Sequence, residues 1–290
     1  MTFDYKLIDS GNFQKLEQVG PYKFVRPSPQ AVWTPRLDLE VWKKVDATFQ
    51  RFSGGDGKWT IHNKLLPKKW TIQQGPVKLV ISLTDFGHLG IFPEQDSNWT
   101  KLNQLIKSKR EKQPDLDLNV LNLFAYTGGS TLACATAGAK VVHLDASKTS
   151  VNWGKENAQA NGLEAAPVRW IVDDVQKFVE REVRRGNKYH GIILDPPSFG
   201  RGTNNEVWQI EDHLVPLLNA LKLLLADDHL FILLSSHSNG YTPIALKNLL
   251  IAITDSDRAD FQASEMCVQE IDTNRALPSG ASCLYLHSKQ

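Results

Sequence analysis

The stretch Gly191-Ile192-Ile193-Leu194-Asp195-Pro196-Pro197-Ser198-Phe199-Gly200 decides how the rest of the chain is read. An apolar run with β character drives into an acid, and two prolines then forbid its continuation as strand or helix. In open α/β sheets, ligands collect just outside the carboxyl ends of the strands. An Asp at that edge, followed by rigid backbone with free carbonyls, is a surface of acceptors only. It suits a planar donor such as the amino group of a base or an amide. A strand that merely ends in an Asx-Pro turn has the same local sequence, so the flanking chain must discriminate.

Around this stretch, strand and helix patterns alternate. Strands are expected over 119–125, 140–145, 168–172, 190–195 and 230–235, and helices over 130–137, 147–161, 175–185, 211–225 and 243–254. Gly162 and Gly186 stop two of the helices. Such alternation implies βαβ units and a parallel sheet. Two final strand-like runs, 261–270 and 282–287, have no helix between them and predict a hairpin that adds an antiparallel strand at one edge. The fold expected is α/β, with a Rossmann-like, mostly parallel sheet.

Residues 1–95 read differently. Short β runs at 5–11, 22–27, 58–61 and 77–83 are broken by turn residues, and 39–52 reads as one helix stopped by Ser53-Gly54-Gly55-Asp56-Gly57. A smaller β-rich accessory domain is therefore expected over 1–95 and the α/β domain over 96–290. Between them, Phe86-Gly87-His88-Leu89-Gly90-Ile91-Phe92-Pro93-Glu94-Gln95 reads as a structured loop. A helix over 99–112 is basic through Lys101, Lys107, Lys109, Arg110 and Lys112, although a charge run is more often only a solvated face.

Bulk properties narrow the function classes. The 290 residues are 41% hydrophobic and 22% charged, as in a globular protein with a real core. Lys and Arg number 33 against 32 Asp and Glu, so no global field attracts a polyanion and any nucleic-acid contact must be local. No apolar run approaches a membrane span, and the N-terminus has no signal-peptide pattern. Cys134, Cys267 and Cys283 have no short spacing, which argues against a metal site or a disulfide framework and for a reduced, cytoplasmic protein.

The strand ends carry the chemistry. Phe124-Ala125-Tyr126-Thr127-Gly128-Gly129-Ser130 joins the first strand to a helix through glycines, which let backbone amides approach a ligand. It is neither Gly-x-Gly-x-x-Gly nor a P-loop. Nineteen residues after Tyr126, the second strand ends in Asp145-Ala146-Ser147, where nucleotide folds hold ribose hydroxyls; an N-cap acid would look the same. The third strand ends in Asp173-Asp174, one of which can cap the next helix. Acids at three neighbouring strand ends beside a glycine turn are poorly explained by capping alone.

Taken in order, Asn122 to Gly129, Asp145 to Ser147, Asp173-Asp174 and Asp195 to Phe199 resemble the four main motifs of class I S-adenosylmethionine-dependent methyltransferases. The resemblance is nearest to the bacterial 23S rRNA group with cytosine carbon-5 and guanine enzymes, and it covers roughly residues 86–240. That group also has a loop similar to Gly90 to Gln95. The resemblance implies S-adenosylmethionine as cofactor and RNA as partner. It implies that Phe124, Ala125, Tyr126, Thr127, Gly128 and Gly129 cradle the methionine part, and that Asp145, with Ala146 and Ser147, meets the ribose. Asp174 or Asp173 would meet the adenine, Gln95 would lie at the cofactor, and Asp195, Pro196 and Phe199 would present the target.

One departure matters. The group's carbon-5 enzymes use a cysteine nucleophile after the fourth or the fifth strand. Those positions here read Asp195-Pro196-Pro197-Ser198 and Ser235-Ser236-His237-Ser238. All three cysteines are expected to be small buried residues. Transfer to a nitrogen or an oxygen remains, with a base nitrogen favoured: Asp195 and the Pro196 carbonyl would accept from the acceptor's amine and Phe199 would stack on its ring. His237 is a candidate on the substrate side; Arg201 and Trp208 read as loop and packing residues. A protein or small-molecule acceptor remains the alternative, and a nicotinamide-dependent oxidoreductase or an inactive binding module is disfavoured.

Overall fold

Val77-Lys78-Leu79-Val80-Ile81 buries every second residue, the period of a half-buried strand. The computed structural model describes residues 4–52, 56–203, 206–254 and 259–287. They fall into two units: Met1–Ser97 with Cys267–Ser279, and Asn98–Met266 with Gly280–Gln290.

In the first unit, β1 (Tyr5–Gly11), β2 (Gln14–Val19), β3 (Tyr22–Pro27), a short α1 (Leu39–Trp42), β4 (Ala47–Arg51) and β5 (Gly57–Ile61) come first. The five strands form one sheet in sequence order. β6 (Trp70–Gln74) and β7 (Val77–Ile81) form a separate hairpin, and Pro93–Gln95 makes a 3-10 turn. The helix expected over 39–52 is wrong beyond Trp42. From Ala47 the burial alternates, and the chain joins β3 in parallel and β5 antiparallel. Ser53, Gly54 and Gly55, expected to stop that helix, lie outside the described residues.

Two buried ionic knots fix this unit. Arg26 pairs with Glu17, which also accepts from Tyr5 Oη at 2.9 Å, and Arg26 Nη1 donates to the Gly87 carbonyl at 2.8 Å. Burial alone would raise the Glu17 carboxyl, but the charges of Arg26 and Lys15 outweigh it and hold it at about 2. The second knot explains why residues 267–279 join this unit rather than the expected C-terminal domain. Arg275 donates to Asp9 Oδ1 at 2.7 Å and to Glu270 Oε2 at 2.9 Å, and the Ile271 amide donates to the Leu7 carbonyl at 2.9 Å.

The second unit begins within α2 (Asp96–Lys112) and continues as β8 (Asn119–Leu123), α3 (Gly129–Ala135), β9 (Lys140–Asp145), α4 (Lys148–Ala160), β10 (Val168–Val172), α5 (Val175–Arg185) and β11 (Gly191–Leu194). A small hairpin of β12 (Phe199–Arg201) and β13 (Val207–Gln209) follows, then α6 (Ile210–Lys222), β14 (Phe231–Ser236), α7 (Pro243–Ile253), β15 (Ala259–Gln269) and β16 (Ala276–His287). The hairpin was not expected: the prolines stop β11, yet pairing resumes at Phe199 with Gln209.

The main sheet has the order β10-β9-β8-β11-β14-β16-β15. The first five strands are parallel, β16 runs antiparallel to β14, and β15 lies at the edge. Side-chain alternation supplies both faces with core. Leu121, Leu123, Ile192, Leu194, Ile232 and Leu234 bury into one cluster, and Val120, Val141, Ile193, Phe231 and Leu233 into the other. Each such side chain contributes roughly 1.5–3 kcal/mol of transfer free energy.

Helix signals match chemistry. α5 starts at the Asp174 cap, buries Val175, Phe178, Val179 and Glu182 on one face, and stops at Gly186 in the left-handed region. No helix among the described residues is long and apolar enough to cross a membrane.

Candidate active site

The order of the sheet places the site. β8, β9 and β10 step one way from the centre, and β11 and β14 step the other. The crevice at such a switch point, outside the carboxyl ends of the strands, is where open α/β sheets take ligands. Leu123 pairs with Leu144 and with Leu194, and Leu194 with Leu234. Phe124, Asp145, Asp195 and Ser235 therefore start from one edge.

The loop after β8 turns by unusual means. Phe124 and Tyr126 both adopt left-handed backbone, at φ 55° and 48°, a conformation that costs non-glycine residues energy and concentrates at ligand sites. Gly128 follows at φ 88° as the N-cap of α3. At Gly129 a Cβ would lie 2.3 Å from Trp99 Cζ2, so only glycine lets the helix start sit flush on that ring. Trp99 Nε1 donates to Ser130 Oγ at 3.1 Å. Asn157 Nδ2 holds the Thr127 carbonyl at 2.8 Å.

A polar chain lies beneath the loop. Asn122 Nδ2 donates to Thr131 Oγ1 at 2.8 Å, and Thr131 Oγ1 lies 2.9 Å from His143 Nδ1. Burial drives the His143 imidazole down to about 3, so the ring is neutral.

Asp145 accepts from the Tyr126 amide at 2.9 Å with Oδ2 and from the Ser147 amide at 2.8 Å with Oδ1. Burial raises its carboxyl, and the two amides offset only part of that shift. Ser147 is also the N-cap of α4, accepting from the Ser150 amide, and Ala146 sits between the two. A half-buried carboxylate beside a bent backbone loop is an acceptor set that fits the paired hydroxyls of a ribose.

At the end of β10 the two acids have separate tasks. Asp174 caps α5, accepting from the Lys177 amide at 3.0 Å. Asp173 is ion-paired with Arg181 and accepts the Asp174 amide at 2.8 Å. Arg181 opens a basic run, Arg181 to Lys188. Much of that run is engaged within the unit, since Arg185 pairs with Glu182 at 3.1 Å and Lys188 Nζ donates to the Leu223 carbonyl at 2.8 Å. Lys101, Lys107 and Lys112 on α2 are exposed.

After β11, Pro196 is buried, Pro197 and Ser198 are exposed, and the Phe199 ring is 55% exposed. Trp208 is a packing residue: its ring centroid lies 4.8 Å from that of Phe124, and its Nε1 donates to the Pro197 carbonyl at 2.7 Å. Asp195 faces His237, with Nδ1 3.3 Å from Oδ1. Gln95 is buried in the 3-10 turn of the first unit, whereas the other expected cofactor residues belong to the second.

None of the three cysteines directly follows β11 or β14 in sequence, although Cys283 pairs with Leu234 across β16 and β14. Cys134 is buried inside α3 and Cys283 inside β16, where burial pushes its thiol up to about 11. The expectation that all three are buried fails at Cys267, which is exposed on β15. Sequence reasoning missed Trp99, Asn157, Arg181 and the Asp195–His237 contact. They depend on strand order and on how helices dock, and no local signal carried that.

Comparison with known proteins agrees with this geometry. A family profile described as S-adenosylmethionine-dependent methyltransferase matches residues 100–230. A crystal structure of an S-adenosylmethionine-dependent methyltransferase from Agrobacterium tumefaciens is 38% identical with a TM-score of 0.91, covering 99% of this chain and 91% of that one. The ribosomal RNA large subunit methyltransferase I of Aeromonas salmonicida is 28% identical over 172 residues, 59% of this chain and 41% of its own. The ribosomal RNA large subunit methyltransferase K/L of Pseudoalteromonas atlantica is 34% identical over 160 residues, 54% of this chain and 21% of its own. The chain thus spans well under half the length of these two curated relatives. Identity at that level along nearly the whole of the Agrobacterium chain, on a sheet with these acids at its switch point, shows that this chain belongs to the S-adenosylmethionine-dependent methyltransferase family.

Proposed function

We propose that the chain methylates a base nitrogen of RNA, with ribosomal RNA as the favoured substrate and the cytoplasm as its place of work. The strand end Asp195-Pro196-Pro197-Ser198-Phe199 carries the reading. It presents a carboxylate, a locked backbone and an exposed ring, and no cysteine stands at this strand end or the next. Without a thiolate, addition to a pyrimidine ring has no nucleophile, because a serine hydroxyl stays protonated at neutral pH. The names of the two curated relatives support RNA as the acceptor.

In this reading the backbone of Phe124 to Gly129 holds the methionine part of the cofactor, and the Asp145 carboxylate takes the ribose hydroxyls, flanked by Ala146 and Ser147. Because Arg181 already occupies Asp173, Asp174 is the better partner for the adenine amine. The bound cofactor supplies an activated methyl group on a sulfonium. Asp195 and the Pro196 carbonyl accept from the acceptor's N–H groups, and Phe199 stacks on its ring, so that the nitrogen lone pair lies in line with the methyl carbon. Positioning of this kind supplies most of the rate.

The test is Asp195→Ala. Calorimetry should give wild-type affinity for S-adenosylmethionine, while transfer of labelled methyl to total RNA should be lost. Unchanged transfer would remove Asp195 from the chemistry.

A further inference from the structure

We propose that His237 is the general base of the reaction, oriented by Asp195, and that the acceptor is a nitrogen bearing a hydrogen: an exocyclic amine or a lactam ring N–H. The inference rests on the methyl-transfer reading above and narrows its substrate class.

The geometry sets a carboxylate beside an imidazole. β11 ends in Asp195, β14 runs on to Ser236, and because the two strands are adjacent and parallel, His237 emerges beside the acid. His237 Nδ1 lies 3.3 Å from Asp195 Oδ1, a distance that commonly shortens once substrate excludes water. The two side chains retain 34% and 27% exposure, so a substrate can reach them. Behind His237 the packing is close. A Cβ at Gly280 would meet the Ser236 carbonyl at 2.8 Å, Met266 Cε at 2.9 Å and His237 Cδ2 at 3.2 Å, so only glycine fits there. Asp195 is the charged group that β11 brings to the ring, while β15 and β16 bring Met266 and Gly280.

A carboxylate at Nδ1 selects the tautomer with hydrogen on Nδ1, which leaves Nε2 bare as a proton acceptor. The balance then closes. The acceptor nitrogen forms a bond to the methyl carbon as the methyl–sulfur bond breaks, and sulfur keeps that electron pair. The acceptor's N–H proton passes to Nε2 and from there to solvent. A ring nitrogen without a hydrogen needs no base, so the pair would serve no purpose for such a target.

Two measurements decide it. Long-range nitrogen–proton correlation spectra of the wild-type protein, with the His237 signal assigned by its loss in His237→Gln, should show hydrogen on Nδ1 and a bare Nε2. Asp195→Asn should shift that balance. A ring protonated mainly on Nε2 overturns the proposal. The second probe is total RNA from cells lacking this chain, with S-adenosylmethionine. His237→Gln should lower kcat about 10²- to 10⁴-fold at unchanged cofactor affinity and remove the acidic limb of the pH profile. A wild-type kcat and profile in that variant overturns the proposal while leaving RNA methylation intact. If the wild-type protein does not methylate RNA, the RNA reading fails and the tautomer alone decides.

Discussion

Trp208 Nε1 donates to the Pro197 carbonyl at 2.7 Å, although eleven residues and the turn of a hairpin separate the two. The bond ties the unexpected hairpin to the strand end that bears Asp195, and it spends the Pro197 carbonyl on structure. The ring meanwhile packs on Phe124, so one tryptophan braces both sides of the switch point. Trp208→Phe keeps the packing and deletes the donor. It should cost about 1 kcal/mol in denaturant unfolding and lower kcat several-fold, with cofactor affinity unchanged. Loss of affinity without loss of kcat would mean that the brace serves the cofactor loop instead.

Asp145 is the residue on which cofactor affinity should depend most. Hydrogen bonds to a charged group contribute about 1.5–3 kcal/mol, so Asp145→Ala should weaken S-adenosylmethionine binding by roughly 10- to 150-fold. Because burial raises the carboxyl, wild-type affinity should begin to fall, on acidification, at a higher pH than an ordinary aspartate would give. Calorimetric titration across pH checks both effects. Equal affinities for variant and wild type would remove Asp145 from the ribose site.

The burial of His143 predicts a pH-dependent stability. His143 has a folded-state pKa of about 3, below its unfolded value near 6.5. Between these limits the unfolded chain takes up a proton that the folded chain refuses. The contribution of His143 is thus complete above the unfolded pKa and is lost as pH falls, with a slope approaching 1.4 kcal/mol per pH unit. His143→Gln should be less stable at neutral pH, because it disturbs the chain through Thr131 and Asn122, and its stability should fall less steeply between pH 6 and about 4. Parallel curves for variant and wild type would contradict this.

The α/β unit was legible because its signals are local. Apolar runs of four to six residues end in acids, and caps such as Ser147 and Asp174 or stops such as Gly186 mark the helices. The first unit was less legible. At 39–52 two competing periods overlap, and pairing with β3 and β5, which no local window contains, decided for strand from Ala47. The return of 267–279 was hidden for the same reason, since Arg275 finds Asp9 across 266 residues. At the site, the acids were visible as strand ends, but their partners were not. Arg181 on Asp173, Trp99 under Gly129 and His237 beside Asp195 follow from strand order and helix docking.

The central claim is methyl transfer to a base nitrogen of RNA, and nucleoside mass spectrometry tests it most directly. Ribosomal RNA is digested from cells with the chain, without it, and with the Asp195→Ala form. The account predicts one N-methylated nucleoside that is present with the wild-type chain, absent without it, and not restored by Asp195→Ala. Identical nucleoside profiles in all three, or a missing nucleoside methylated on carbon, would contradict it.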